Sequence, residues 1–265
     1  MKTISYIVLT LLLLAMQTPL VFVPASVIDL VAKDIETDRL GNLYAVAPTN
    51  QLYKYSRDGQ KLSTLNYKYV GNISQVDATN PLEIYLFYRE LNKIIYLDNN
   101  LAYRGETDLN RYDVIQASAI ARAFDNGIWV FDLGDLQLKK FDKKGENVHT
   151  SGNIRQYLKG NVQPNYIFDN NDRVYLNCPL QGILVFDVFA NYIKTIPIKG
   201  NSNVKVIDED LYYHDGKKLF RYNLKSLRTF EFALPDSAQV QDVSIEKQRL
   251  YVVYPNRIAI YSYQN

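Results

Sequence analysis

Cysteine is almost absent from this chain. Cys178 is the only one in 265 residues, so no internal disulfide can staple the fold, and a small buried or strand-end residue is the expected role. Histidine is nearly as scarce. His149 and His214 each lack a second ligand at metal-binding spacing, and His214, just before Asp215-Gly216, reads as a solvated turn residue. There is no Gly-x-Ser-x-Gly elbow, no His-Glu-x-x-His and no Gly-rich phosphate loop. Asp132, Asp135 and Asp142 lack the alternating oxygen-ligand spacing of a calcium loop and read as surface turns. An excess of one charge is missing too, since the formal net charge is only +2. Lys139-Lys140 and Lys143-Lys144 read as solvated flanks of a hairpin, which leaves nucleic acid without a landing surface. These absences predict no catalytic residue, no metal and no cofactor.

What the chain has in quantity is tyrosine, with 22 copies, and they recur in a pattern. An apolar-aromatic step is followed about ten residues later by a second apolar run. Leu43-Tyr44 leads to Leu52–Tyr55, Ile84-Tyr85 to Ile94–Leu97, and Ile128-Trp129 to Leu138–Phe141. Val174-Tyr175, Leu211-Tyr212 and Leu250-Tyr251 continue the series. The aromatic anchors are 41, 44, 46, 37 and 39 residues apart. A period near forty with several short strands per unit predicts an all-β fold, a single β-propeller of six four-stranded antiparallel blades. Turn residues such as Asp38–Gly41 and Asp125–Gly127 precede the anchors and mark hairpins. Anchor aromatics should fill the wedges between blades, which accounts for most of the tyrosines without a carbohydrate platform.

The two ends complement each other. The last unit stops after its third strand at Tyr261, while a surplus apolar strand, Ser26–Val31, precedes the first unit. That strand should pair beside Ile258–Tyr261 and close the ring, removing its free edges. Ahead of it, Lys2, the apolar run from Ile7 to Met16, and Val23-Pro24-Ala25 form an export signal with cleavage expected after Ala25. The expected domains are therefore a signal peptide over 1–25 and a propeller over 26–265. The alternative is an uncleaved anchor, since Ile4–Val23 is twenty residues long.

Counting back from the anchors to the start of each inner strand gives six candidate contacts at one channel mouth. They are Asp34, Gln75, Gln116, Asn165, Asn203 and Gln241, five amides and a lone acid. The Gly-Asn-Leu-Tyr step at 41–44 and the Asn-Gly-Ile-Trp step at 126–129 resemble those of NHL-type and gluconolactonase-type propellers. The lactonase branch of that group uses carboxylates around a channel calcium, and this chain departs from that pattern at the mouth. The resemblance therefore implies a non-enzymatic interaction module, with a calcium-dependent lactonase or esterase as the alternative. In size and Asn-, Lys- and Tyr-rich style the mature chain also resembles periplasmic accessory propellers of the Bacteroidetes, including the plug of the type IX secretion translocon. That resemblance implies a periplasmic protein, peripheral to the outer membrane, with an envelope or outer-membrane protein as partner. A general glycan- or envelope-protein-binding propeller is the other reading of the same style. Either way, the chain is not expected to be an integral membrane protein after signal cleavage.

Overall fold

The hairpins form where the sequence places an Asp ahead of a tight turn. The Asp38 carboxylate accepts bonds from the Leu40 and Asn42 amides, and Gly41 supplies the left-handed backbone at φ 85° that closes the turn. Asp98, Asp142 and Asp187 repeat the device in later blades. At the third anchor, Gly127 is required for space: a Cβ there would lie 2.4 Å from the Phe141 carbonyl oxygen.

The computed structural model describes residues 20–66, 71–170, 172–200, 203–246 and 248–263. Strand β1 (Val23–Ile28) comes first, and the first blade follows as β2 (Asp34–Thr37), β3 (Leu43–Val46), β4 (Leu52–Tyr55) and β5 (Lys61–Thr64). The second holds β6 (Gln75–Asp77), β7 (Glu83–Tyr88), β8 (Lys93–Asp98) and β9 (Tyr103–Asp108). The third holds β10 (Ala117–Arg122), β11 (Ile128–Asp132), β12 (Gln137–Phe141) and β13 (Asn147–Thr150). In the fourth are β14 (Tyr166–Asn170), β15 (Arg173–Cys178), β16 (Gly182–Asp187) and β17 (Tyr192–Ile196). The fifth has β18 (Lys205–Ile207), β19 (Asp210–His214), β20 (Lys218–Asn223) and β21 (Thr229–Ala233). The sixth is β22 (Asp242–Glu246), β23 (Arg249–Tyr254) and β24 (Arg257–Ser262), with β1 as its outer strand. Six four-stranded antiparallel sheets make a six-bladed β-propeller.

The ring closes as the sequence predicts, by an N-terminal strand against the last blade, but the strand lies three residues earlier than expected. Val23 faces Ser262 and Ile28 faces Ile258, with a bulge between Pro24 and Ser26. The expected strand, Ser26–Val31, extends beyond the pairing into the turn toward β2. Of the expected signal segment over 1–25, residues 1–19 lie outside the described residues. Among the described residues no helix is long and apolar enough to cross a membrane.

Six apolar cores fill the six gaps between neighbouring blades. All six anchors are buried in them. Several also carry a polar tip across the gap. Trp129 Nε1 donates to Asp169 of the fourth blade at 2.8 Å, and the Tyr251 hydroxyl donates to the Gly41 carbonyl of the first at 2.5 Å. The blades are thus joined by apolar area and by single, directed hydrogen bonds.

Two surface expectations fail. Lys139 and Lys140 are about 5% exposed rather than solvated, because β12 is an inner-facing third strand. Lys139 bonds Asp132 and Asp135, while Lys140 bonds Asp125 and lies over the Trp129 ring. Asp132 is fully buried rather than a surface turn. Its carboxylate also accepts from the Ile115, Gln116 and Gly134 amides; burial pushes its pKa up, but the Lys139 bond and then these amides hold it below the ordinary range. Cys178 is buried as expected, and burial pushes its thiol up to about 12, so it stays protonated and inert.

Candidate functional site: the channel and its mouth

The inner strands line the channel in tiers, because every second residue along a strand shares a face. The register with the anchor strands aligns the tiers between blades. Opposite the residue two beyond each anchor stand Asp34, Gln75, Ala119, Tyr166 and Asp242, with Asn203 in the corresponding place just before β18. Opposite the anchors themselves stand Glu36, Asp77, Ala121, Phe168, Lys205 and Ser244.

Five of the six candidates, Asp34, Gln75, Asn165, Asn203 and Gln241, line a single mouth cavity of about 430 Å³. Gln116 does not. It is exposed, thirteen residues before Trp129 and three ahead of Ala119, which holds the tier position ten before that anchor. Asn165 and Gln241 each sit one residue ahead of the tier positions Tyr166 and Asp242 and line the same cavity.

The side chains have different tasks. Gln75 is buried, and its amide donates to the Ile120 carbonyl and accepts from the Ile120 amide of the third blade, at 2.8 and 3.2 Å. It is a blade-to-blade clamp, committed through both its oxygen and its nitrogen to the next blade. Asn165 accepts from Asn177, and Asn203 donates to Asp242. Gln241 is exposed. His214, read from sequence as a solvated turn residue, ends β19 with its ring mostly covered and Nε2 3.2 Å from Asp242 Oδ1.

The lone-acid expectation is also overturned. Glu36, Asp77, Asp242 and Glu246 join Asp34 along the channel. One lysine stands among them in contact with Glu36 and Glu246. Lys205 Nζ donates to Glu36 Oε1 at 2.7 Å and to the Thr37 carbonyl at 2.6 Å, with Glu246 at 4.0 Å. The Tyr166 hydroxyl donates to the other Glu36 oxygen at 3.1 Å. Burial pushes Lys205 toward the neutral form, but Glu36 and Glu246 outweigh it and raise its pKa. Glu36 and Tyr166 line the upper cavity, whereas Lys205 and Glu246 line a second one of about 520 Å³ below. The Glu36–Lys205 pair stands between them. Among the described residues no three His, Cys, Asp or Glu side chains are placed to share a metal ion.

Asp34 is a strongly perturbed carboxyl of the mouth. Burial, then the charges of Asp242 and Glu36, raise its pKa to about 7. Sequence reasoning missed Arg89, which reaches the same cavity from the short 3-10 turn after β7. Its Nε is buried without a hydrogen-bond partner, and among the described residues no carboxylate pairs with it. Lys33, also on the cavity wall, bonds the neutral oxygens of Asn50 and Ile73. No local motif announces Arg89; only the channel brings it beside residues fifty to one hundred and fifty positions away.

No protein family and no characterised protein matches the chain by sequence. Solved structures do match by shape. A candidate exported protein of Bacteroides fragilis aligns over 93% of this chain and 95% of its own, with a TM-score of 0.63 and 13% identity. A virginiamycin B lyase of Staphylococcus aureus, solved in an inactive form with quinupristin, aligns over 92% and 98%, with a TM-score of 0.59 and 13% identity. BamB of Moraxella catarrhalis aligns over 92% and 98%, with a TM-score of 0.56 and 13% identity. At that identity the shared property is the fold. None of the three bears on type IX secretion.

Proposed function

We propose that this protein is a non-catalytic, exported propeller whose channel mouth receives an acidic segment of an envelope protein. The observation that carries the reading is Arg89. A guanidinium in a partly buried cavity, with no carboxylate in salt-bridge contact among the described residues, is a strong site for an incoming carboxylate, because charge-assisted hydrogen bonds are roughly twice as strong as neutral ones. Lys33 adds a second cation to the same wall. Gln241, Asn165 and Asn203 offer donors and acceptors suited to the backbone of an inserted loop. The channel lysine speaks against the lactonase alternative, since a central divalent ion would meet the Lys205 ammonium. A glycan would find few open aromatic faces here, because Tyr166 is committed to Glu36.

The test is fluorescence anisotropy with labelled hexapeptides of one length, either Asp-rich, neutral or Lys-rich. The Asp-rich probe should bind best, and Arg89→Gln should weaken it about tenfold, the scale of one charge-assisted bond. Equal binding of all three, or indifference to Arg89→Gln, overturns the proposal. So does chelator-sensitive lactone hydrolysis. The narrower form, a plug of a type IX translocon, is tested by whether a pull-down from envelope extract recovers translocon subunits with the wild type and loses them with Arg89→Gln.

A further inference from the structure

A third cavity, of about 480 Å³, opens between the second and third blades and shares no lining residue with either channel cavity. Its walls are aromatic. Tyr85 and Tyr96, on β7 and β8, meet edge to face at 4.9 Å, and Tyr112, on the turn after β9, lies 5.6 Å from Phe141 of β12. Gly145 gives the Tyr112 ring its place, since a Cβ there would stand 2.2 Å from it. Tyr96 and Tyr112 are only partly buried, so two of the four rings stay accessible.

Polar groups converge on the same space and are not used up there. Arg122, with its side chain 11% exposed, donates to Glu83 Oε2, to the Tyr85 hydroxyl and to Asn126 Oδ1. No bond among the described residues takes up Glu83 Oε1, the Tyr85 hydroxyl proton, the Asn126 amide nitrogen or the Tyr112 hydroxyl. Open acceptors and open donors therefore stand side by side. The formal charges cancel, with Arg122 and Lys143 against Glu83 and Asp142. An acidic peptide would find this guanidinium already paired with Glu83, unlike Arg89 at the channel mouth.

We propose that this cleft is a second binding site, for a neutral saccharide. A sugar ring has apolar C–H faces that lie against aromatic rings, and hydroxyls that each donate and accept. Tyr96 and Tyr112 supply the rings, Glu83 accepts from hydroxyls, and Asn126 donates to them. The volume is that of a small-molecule site rather than of a folded partner. Balanced charge selects against uronic acids and against amino sugars with a free amine. The site stands independently of the channel mouth and its partner.

Saturation-transfer NMR on the full chain tests this with methyl glycosides of glucose, galactose, mannose and N-acetylglucosamine, beside glucuronate and glucosamine as charged probes. At least one neutral glycoside should bind at about 10 mM, well above a millimolar Kd. Tyr112→Phe with Asn126→Gly should weaken it about tenfold, the loss of two hydrogen bonds. Both changes keep the local backbone, since Asn126 has φ 67° and glycine adopts that freely. Glu83→Gln, on a side chain 42% exposed, removes the negative charge beside Arg122 and should turn the preference toward glucuronate, whether or not the double variant folds. Arg89→Gln should leave saccharide binding unchanged. Failure of every neutral glycoside, a stronger signal from either charged probe in the wild type, or indifference to the cleft variants overturns the proposal. Loss of the signal in Arg89→Gln overturns it too, and moves the sugar to the channel mouth.

Discussion

Removing the channel lysine tests how the centre of the propeller is held. In Lys205→Met the apolar stem is kept and the ammonium is lost, so Glu36, about 9% exposed in its side chain, loses the cation it bonds, and Glu246 loses the ammonium 4.0 Å away. Breaking a buried pair in this way typically costs about 3–5 kcal/mol, because the remaining charge stays desolvated. For a domain of this size each kcal/mol lowers Tm by about 2–4 °C, so a fall of roughly 6–20 °C is expected at pH 7. The deficit should depend on pH with a definite sign. The stranded carboxylates will hold their protons more tightly when folded than when unfolded. Their contribution is then present at low pH and lost as the pH rises through their raised folded values. Urea midpoints measured from pH 4.5 to 8 should therefore show the variant closest to wild type at the acid end. Adding Glu36→Gln to Lys205→Met should recover part of the loss at pH 7, since it removes one of the stranded charges. A deficit below about 1 kcal/mol at pH 7, or one that does not change with pH, refutes the view that the lysine neutralises the channel.

Other outcomes follow from single contacts. Trp129→Ala should lose about 3–5 kcal/mol, while Trp129→Phe, which keeps one aromatic ring but loses the bond to Asp169 and part of the buried indole volume, should lose less; chemical denaturation that finds Trp129→Ala neutral shows the blade interfaces to be wrongly assigned. Asp34, with its folded pKa near 7, binds its proton more tightly in the folded state. Its stabilising effect is present below about pH 4 and is lost as the pH rises through 7, by at most roughly 4 kcal/mol. Asp34→Asn should accordingly flatten the fall in stability between pH 4.5 and 8, and an unchanged slope in the urea midpoints contradicts it. The same protonation lowers the negative charge at the mouth, so the Asp-rich hexapeptide should bind more tightly at pH 6 than at pH 8 in the wild type and equally at both in Asp34→Asn.

The sequence by itself determined the number of blades, the strands that carry the anchors, and the closure of the ring by its own N-terminus. These follow from periodicity and from local turn chemistry, and both are written in neighbouring residues: Asp38 caps its own hairpin, and Leu43-Tyr44 alternates with the pleat. Counting back from the anchors also found Asp34, Gln75 and Asn203 at the mouth. It landed one residue ahead of the tier at Asn165 and Gln241, which still line the mouth, because inner-strand hairpins differ in length, and the longer count of thirteen to Gln116 overshot the tier by three. What the counted residues do was decided only by the tertiary structure. Gln75 looks like a free amide in the sequence, yet it is consumed by the backbone of the next blade. Lys205 and Glu36 are 169 positions apart and meet only because the ring brings the first and fifth blades to one axis. Arg89 acquires its role in the same way. Burial, pairing and charge at a propeller's centre depend on which distant strands converge there, and a repeat pattern carries no record of that convergence.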